Sequence, residues 1–470
     1  MCTWWKTNGA WFVILAAIPS PAQTFTTLAS FNWTDGAHPW SMSLVQGING
    51  NLFGTTYNGG MRNANCDTDY PGCGGIFEIT PAGALTVVHK FDGTDGNSPM
   101  AGLLVATSGN LYAVTSSGGG GTDNCGTIYT VTPGTTLHVF QGTDGCAPNQ
   151  LIEGADGNFY GTTIAGGTDF PVGTIFKITP AGDFTTLHNF GGTDGANPSA
   201  ALLETADGNF YGTTLQGGVN NQGTIFKITP DGSFTSLYGF GTAPADDNGL
   251  LPYGALVQDI AGNFYGTTSE GGAYGCCGTV FKMTPAGAVT TLHNFCAENC
   301  TDGYYVFDGL LEATDGNFYG TTDEVAGAID CGTIFRLTPG GAFSVLHTFD
   351  GTDGCGPHGG LSQGTDGTLY GAAFGGGAHG FGDVYSLSVG LAPFVKTLPH
   401  SAKPGSAIKI LGTNLTGAAS VSFNGAAAVF TVVSPTEIET TVPVGATTGK
   451  IQVTTPGGTL FSGGPFLVRQ

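Results

Sequence analysis

A chain of 470 residues has room for two or three domains with sizeable cores. Only 10% of its residues are charged, whereas Gly reaches 82, Phe 31 and Tyr 15. So much glycine without a triplet period, beside abundant aromatics and Thr, predicts short strands joined by tight turns. The formal charge of −22 excludes the basic patches that nucleic acid or an anionic membrane surface would require.

In chain order, residues 1–22 read as an export signal. Lys6 supplies a positive start, GAWFVILAAI (9–18) a short apolar run, and Ser20 with Ala22 a small-residue site that places cleavage after Ala22. The run is too short to span a bilayer comfortably. Cys2 precedes it, which argues against a lipoprotein. The mature chain is expected to be secreted or held at the cell surface, with no transmembrane segment.

From residue 23 to 390 three phrases recur in fixed order. GNFYGTT begins at 157, 208, 262 and 316, with GNLFGTT at 50, GNLYAVT at 109 and GTLYGAA at 367. GTIFKITP follows at 173 and 223, and variants of it follow in the other units. A third phrase has the form of FTTLHNF (184–190), and an apolar segment such as ALLETA (201–206) precedes each first phrase. Each unit of about 50 residues therefore holds four strands, A to D. Asp-Gly pairs at 156–157, 207–208, 315–316 and 366–367 mark the A–B hairpin.

One unit cannot bury both of its faces, but units that cover one another in a ring can. The predicted fold is all-β, a seven-bladed β-propeller over 23–390. The seventh unit stops at SLSV (386–389) without a third phrase, and TFTTLASF (24–31) stands unused near the start. That early strand is expected to complete the last blade, leaving no open sheet edge.

At Leu391 the character changes. Residues 23–390 carry 6 basic and 32 acidic side chains, whereas 391–470 carry 5 and 2. Short alternating runs (AIKIL, ASVSFNG, EIETTVPV, KIQVTT) predict an immunoglobulin-like β-sandwich over 391–470.

On GNFYGTT, GTIFKITP and FTTLHNF, the repeats resemble the GloVer tandem repeat of exported "choice-of-anchor" proteins. The Gly pairs after strand B (166–167, 217–218, 271–272) also resemble kelch repeats. KPGSAIKILGTNL, SVSFNGAAAVF and TEIETTVPVGATTGKIQVTTPGG resemble an IPT/TIG domain. These resemblances imply export and an accessory or binding module, and they imply no activity. The end of the sequence, FLVRQ, departs from an anchored family in having no apolar tail.

Ten of the 11 cysteines lie beyond the signal, an even number that predicts disulfides in an exported chain. Cys125 and Cys331 each precede strand C, and Cys146 and Cys355 each follow the TDG after strand D. The repeat frame thus pairs Cys125 with Cys146 and Cys331 with Cys355, and Cys66–Cys73 would staple a long loop. Pairing among Cys276, Cys277, Cys296 and Cys300 stays open, with a zinc cluster as the rival to disulfides.

B–C and D–A loops vary while A–B and C–D turns do not, and a meander brings both variable sets to one face. Binding residues favour such loops on a rigid scaffold. Trp40, Tyr57, Tyr70, Tyr274, Tyr304, Tyr305, His358 and His379 are the candidates, weighed against aromatics that only pack their own loops. The TDG carboxylates Asp35, Asp95, Asp144, Asp194, Asp302 and Asp353 could hold calcium, although each capping its own turn is the plainer account. Strand A carries Gln46, Glu153, Glu204, Gln258, Glu312 and Gln363 in one slot, either an acid pair for glycoside hydrolysis or a polar structural slot. His89, His138, His188, His293 and His347 share one position in strand D, on the face of both Phe residues, and should pack between blades. GLSQG (360–364) fits a nucleophile pattern but falls inside strand A with no helix after it.

The resulting expectation is a non-catalytic exported protein whose loop face recognises a glycan or a surface protein, without cofactor or metal. The competing expectation is a polysaccharide hydrolase or lyase with carboxylates at the ring mouth.

Overall fold

The structure is a computed structural model that describes residues 23–40, 43–62, 65–66, 72–168, 172–241, 248–297, 299–327 and 330–469. The expected signal segment lies outside these residues. Each sequence phrase becomes one strand. In blade 4 the strands are Leu203–Glu204 (A), Phe210–Thr214 (B), Thr224–Ile228 (C) and Phe234–Gly239 (D), hydrogen-bonded in that order. Among the described residues, seven sheets of this kind occupy Thr24–Ser388 and no helix is present.

The first phrase explains itself in the packing. Strand B of blade 4 pairs Gly212 with Phe226, and a Cβ on that glycine would lie 2.5 Å from the Phe226 ring. Gly161, Gly266 and Gly320 face Phe176, Phe281 and Phe335 in the same way. The asparagine and tyrosine of the phrase close the A–B hairpin. Asp207 accepts hydrogen bonds from Asn209 Nδ2 (2.7 Å) and Tyr211 Oη (3.0 Å). Burial alone would raise the Asp207 carboxyl, but these donors and Thr205 outweigh it and hold it below the usual range.

Buried clusters between the sheets show how the blades are arranged. Phe210, Phe226 and Ile228 of blade 4 pack on Tyr160, Ile175 and Phe190 of blade 3, and comparable clusters join each blade to the next. One more cluster joins Tyr370 and Val384 of blade 7 to Leu52, Phe77 and Ile79 of blade 1. The cycle is therefore closed and the fold is a propeller.

Strand D corrects one detail of the sequence reading. Strict alternation puts His188 on the face of both Phe184 and Phe190. A bulge at Leu187, between the pairs Phe176–Thr186 and Ile175–His188, reverses the alternation. Phe184 therefore faces blade 2, where it stacks on His138 at 4.1 Å, and His188 faces blade 4, where it stacks on Phe234 at 4.0 Å. The histidine does lie between blades.

Closure uses the N-terminal strand. Thr24–Ser30 runs antiparallel to Asp383–Ser388 as the outer strand of blade 7. Its Phe25 takes the standard blade-to-blade stack, 3.8 Å from His347 of blade 6.

Beyond the ring, Lys396–Leu398, Ala407–Leu411, Glu437–Thr441 and Phe430–Ser434 form one sheet of the sandwich. Ala426–Ala428, Ser420–Phe423, Ile451–Thr455 and Gly458–Phe461 form the other, over a core that includes Ile410, Phe423, Ile438 and Val453. The sandwich sits on the A–B turns of the propeller. Thr436 Oγ1 donates to Ile48 O (2.8 Å), Thr413 Oγ1 to Thr365 O (3.1 Å) and Arg469 Nη1 to Ala206 O (2.9 Å). Arg469 also pairs with Glu204 at 2.9 Å, the two side chains only 11% and 4% exposed.

Two outcomes follow. Phe25→Ala lowers stability by about 2–3 kcal/mol in urea unfolding, because it removes a half-buried ring from the closing strand. Arg469→Ala leaves the Glu204 carboxylate buried without its cation, a loss of about 3 kcal/mol. X-ray scattering should then show the sandwich detached, and an unchanged radius would contradict this docking.

Candidate functional site

The variable loops do share one end of the ring. Ala37 of a D–A connection bridges Asn58 of a B–C loop, and Ala196–Gln216, Leu250–Glu270, Tyr304–Glu324 and Cys355–Gly375 repeat the arrangement. With the sandwich on the A–B turns, the loop end lies on the opposite face of the ring.

On it, half-buried rings form a continuous chain across blades 1, 7, 6 and 5. Trp40 contacts Tyr57 (5.6 Å between centroids), His358 (4.9 Å) and Phe374 (4.9 Å). His358 lies flat on Phe374 at 4.9 Å and edge-on to Phe307 at 5.7 Å. Phe307 continues to Tyr305 (6.0 Å) and Tyr253 (5.4 Å), and Tyr305 to Tyr304 (5.0 Å). His358 Nε2 is fixed by Asp323 at 2.6 Å, and Tyr304 Oη donates to Asp330 at 3.0 Å. The shelf is therefore aromatic with an acidic rim.

Five of the sequence candidates (Trp40, Tyr57, Tyr304, Tyr305 and His358) belong to this chain. Tyr274 is 51% exposed and His379 is also exposed, both outside the chain of ring contacts. Tyr70 lies outside the described residues. Sequence reading missed Phe307, Phe374, Tyr253 and His38, the last stacked on Phe374 at 4.7 Å. Their signal was the same as that of the chosen residues, an aromatic in a D–A or B–C loop.

Beside Phe307, Asp308 stands where the lead-ins to strand A converge. A Cβ on Gly360 would lie 2.7 Å from Ser43 Oγ and 3.0 Å from Asp308 Oδ2, so blades 7, 1 and 6 meet there. Asp308 keeps some exposed surface but is walled by protein, and burial pushes its carboxyl up to about 6 against the opposing amides of Gly309 and Gly360.

Several strand-A acceptors are held by neighbouring turns. Thr107 N donates to Glu153 (2.6 Å), Ala155 N to Glu204 (3.2 Å), Thr314 N to Gln363 (3.0 Å) and Thr365 N to Gln46 (3.0 Å). The strand-A slot thus ties each such blade to the turn of the one before it, and Glu and Gln serve equally because only an acceptor is required. Among the TDG carboxylates, Asp194 accepts the Gly191 amide at 2.8 Å with one oxygen and holds His188 at 2.8 Å with the other. Asp95, Asp144, Asp302 and Asp353 do the same with His89, His138, His293 and His347. Asp35 caps its own turn through the Asn32 amide at 2.8 Å. Ser362 of GLSQG lies in strand Ser362–Gln363.

Sulfur is arranged blade by blade. Cys125–Cys146 and Cys331–Cys355 bridge the start of strand C to the D–A connection, and Cys66–Cys73 closes a B–C loop. In blade 5, Cys296 bonds Cys300, while Cys276 and Cys277 are free thiols with sulfurs 2.9 Å apart. The cause is visible in the repeat frame: Tyr304 occupies the position of Cys146 and Cys355, so Cys277 has no partner there. Cys277, Cys296 and Cys300 sulfurs lie within 4.8 Å of one another, the group among the described residues with metal-ligand spacing. Two of the three are spent on a bond, and burial beside Cys276 pushes the Cys277 thiol up to about 12.

The Asp308 shift carries a pH signature. Its folded value lies above the ordinary 3.8, so its contribution to stability is full at low pH and is lost as pH rises through about 6. Wild type should gain stability relative to Asp308→Asn between pH 7 and pH 5 in urea unfolding. A pH-independent difference would place this carboxyl in open solvent.

No curated protein matches the chain. Among solved structures, a fungal alcohol oxidase of the AA5 family in complex with copper is similar at 14% identity and a TM-score of 0.51, covering 92% of this chain and 98% of that one. The extracellular domain of a hybrid two-component system from B. thetaiotaomicron is similar at 14% identity and a TM-score of 0.50, covering 92% of this chain and 53% of that one. This chain thus spans about half of that protein, and at such identities both likenesses concern the fold alone. The Gloeobacter/Verrucomicrobia repeat matches residues 13–133, 67–273, 119–328 and 245–427, and the IPT/TIG domain matches 395–468. Four repeat matches over most of the length, built on the same phrases that form the blades, make the chain a member of the Gloeobacter/Verrucomicrobia repeat family with a C-terminal IPT/TIG domain.

Proposed function

We propose that this is an extracellular binding protein whose aromatic shelf docks a glycan, with the IPT/TIG domain holding the propeller from the opposite end. Four disulfides among the described residues accord with an oxidising compartment. No helix among those residues is long and apolar enough to cross a membrane. The single observation that carries the reading is the run of half-exposed rings from Tyr57 through Trp40, His358 and Phe307 to Tyr304. Such rings offer flat apolar faces, while Asp323, Asp330 and Asp308 supply acceptors for hydroxyl groups at their edges.

The two-carboxylate route of glycoside hydrolysis requires a second acid about 5–10 Å from the first. Asp308 is the carboxyl of altered acidity at this mouth, whereas Asp323 is held by His358, and Glu153 and Glu204 by turn amides. This division favours binding over polysaccharide cleavage. A surface protein is the other partner the shelf would suit.

A glycan array probed with the purified protein, followed by titration of the best polysaccharide, tests the reading. Trp40→Ala should weaken binding at least tenfold, about 1.4 kcal/mol, with an unchanged circular dichroism spectrum. Tyr274→Ala should leave affinity unchanged. Release of reducing sugar during incubation would replace binding by hydrolysis, and no glycan bound at all would end the proposal.

A further inference from the structure

In blades 2 to 6 the last Thr of strand B and the first Thr of strand C touch through their hydroxyls at 2.8–2.9 Å. These pairs also supply hydroxyls to two backbone carbonyls. In blade 3, Thr163 donates to Ala165 O at 2.9 Å and Thr174 to Asp144 O at 3.3 Å. Blade 5 does likewise with Glu270 O (3.0 Å) and Asn248 O (3.2 Å).

Blade 7 breaks the pattern. Ala373 and Asp383 replace the two threonines, and the carbonyls at the corresponding positions are those of Gly375 and Asp353. Two hydroxyl donors are thereby exchanged for a methyl group and a carboxylate. Asp383 is 0% exposed, and neither of its oxygens makes a hydrogen bond of normal geometry, the Ser30 hydroxyl lying beside the carboxylate without closing one. A buried polar group is normally paired, and a buried charge more strictly so. The loop beside it makes room for the carboxylate, since a Cβ on Gly377 would lie 2.0 Å from Asp383 Oδ1. Ser30 of the closing strand is the ladder partner of Asp383, and its hydroxyl accepts the Ala378 amide at 3.3 Å. Burial holds the Asp383 carboxyl above the ordinary range, opposed in part by Ser30 and the exposed His379.

We propose that blade 7 binds a hard, oxygen-seeking cation at Asp383, with the Gly375 and Asp353 carbonyls and the Ser30 hydroxyl as the neighbouring oxygens. The set is oxygen only, which selects against soft metals, and its irregular origin in one carboxylate, main chain and a hydroxyl suits calcium better than magnesium. The ion would sit at the seam where the N-terminal strand closes the ring. It therefore tightens the closure.

Thermal unfolding of the full chain after chelation, then with millimolar calcium, magnesium or sodium added back, tests this, together with metal analysis of the dialysed protein. Wild type should retain one calcium per chain and gain about 3 °C or more on calcium addition. Ala373→Thr with Asp383→Thr restores the pair of the other blades and should unfold at one temperature in all conditions. Asp383→Asn, which removes the charge alone, should also lose the response. A calcium response that survives in both variants would put the ion elsewhere. No bound ion, with wild-type stability following pH instead, would mean that Asp383 is a protonated carboxyl donating to a carbonyl, and the proposal would fall.

Discussion

Every blade in this protein is buried on two faces, and neither face can be covered from within the blade. That constraint governs the rest. Strands B and C are buried along nearly their whole length because both sides of the sheet meet neighbours. A linear stack would leave two such sheets open at its ends. The chain avoids this by giving blade 7 an outer strand from its own N-terminal region, so that the last interface closes with residues from both ends of the ring.

The blade-to-blade contact is then a repeated device with three parts. A buried aliphatic and aromatic cluster supplies the hydrophobic term. A strand-D histidine lies flat on the first aromatic of the next strand D, held by the aspartate of its own TDG turn. A strand-A Glu or Gln accepts an amide from the preceding hairpin. The last part is seen in blades 1, 3, 4 and 7, and in blade 2 Val105 occupies the slot. The repetition of these parts leaves the B–C and D–A loops free to vary, since the ring does not depend on their sequence. Function can gather there without cost to closure.

The sandwich adds polarity to a ring that would otherwise have two open ends. By seating Thr413, Thr436 and Arg469 on the A–B turns, it occupies the uniform end, opposite the variable one. Between the domains lies a cavity of 390 Å³ lined by Glu312, Ser362, Lys396 and His400. Burial there lowers the Lys396 ammonium to about 8.

Strand identity, hairpin position, the closing strand and the clustering of loop aromatics on one face were legible because each is local or follows from repetition. Asp-Gly marks a turn wherever it occurs, and a missing third phrase at one end with a spare copy at the other has a simple resolution. The direction in which His188 points was not legible, because a one-residue bulge reverses alternation and leaves no trace in composition. Nor could sequence reveal which loop aromatics touch. Trp40 and His358 are more than three hundred residues apart, and only closure of the ring brings them to 4.9 Å. The seating of the sandwich is likewise a tertiary outcome, decided by a few polar contacts such as Arg469 with Glu204 whose partners share no motif. Local pattern determined what each segment becomes. Which segments meet was decided by the geometry of a closed circle, in which neighbours are set by rotation and not by distance along the chain.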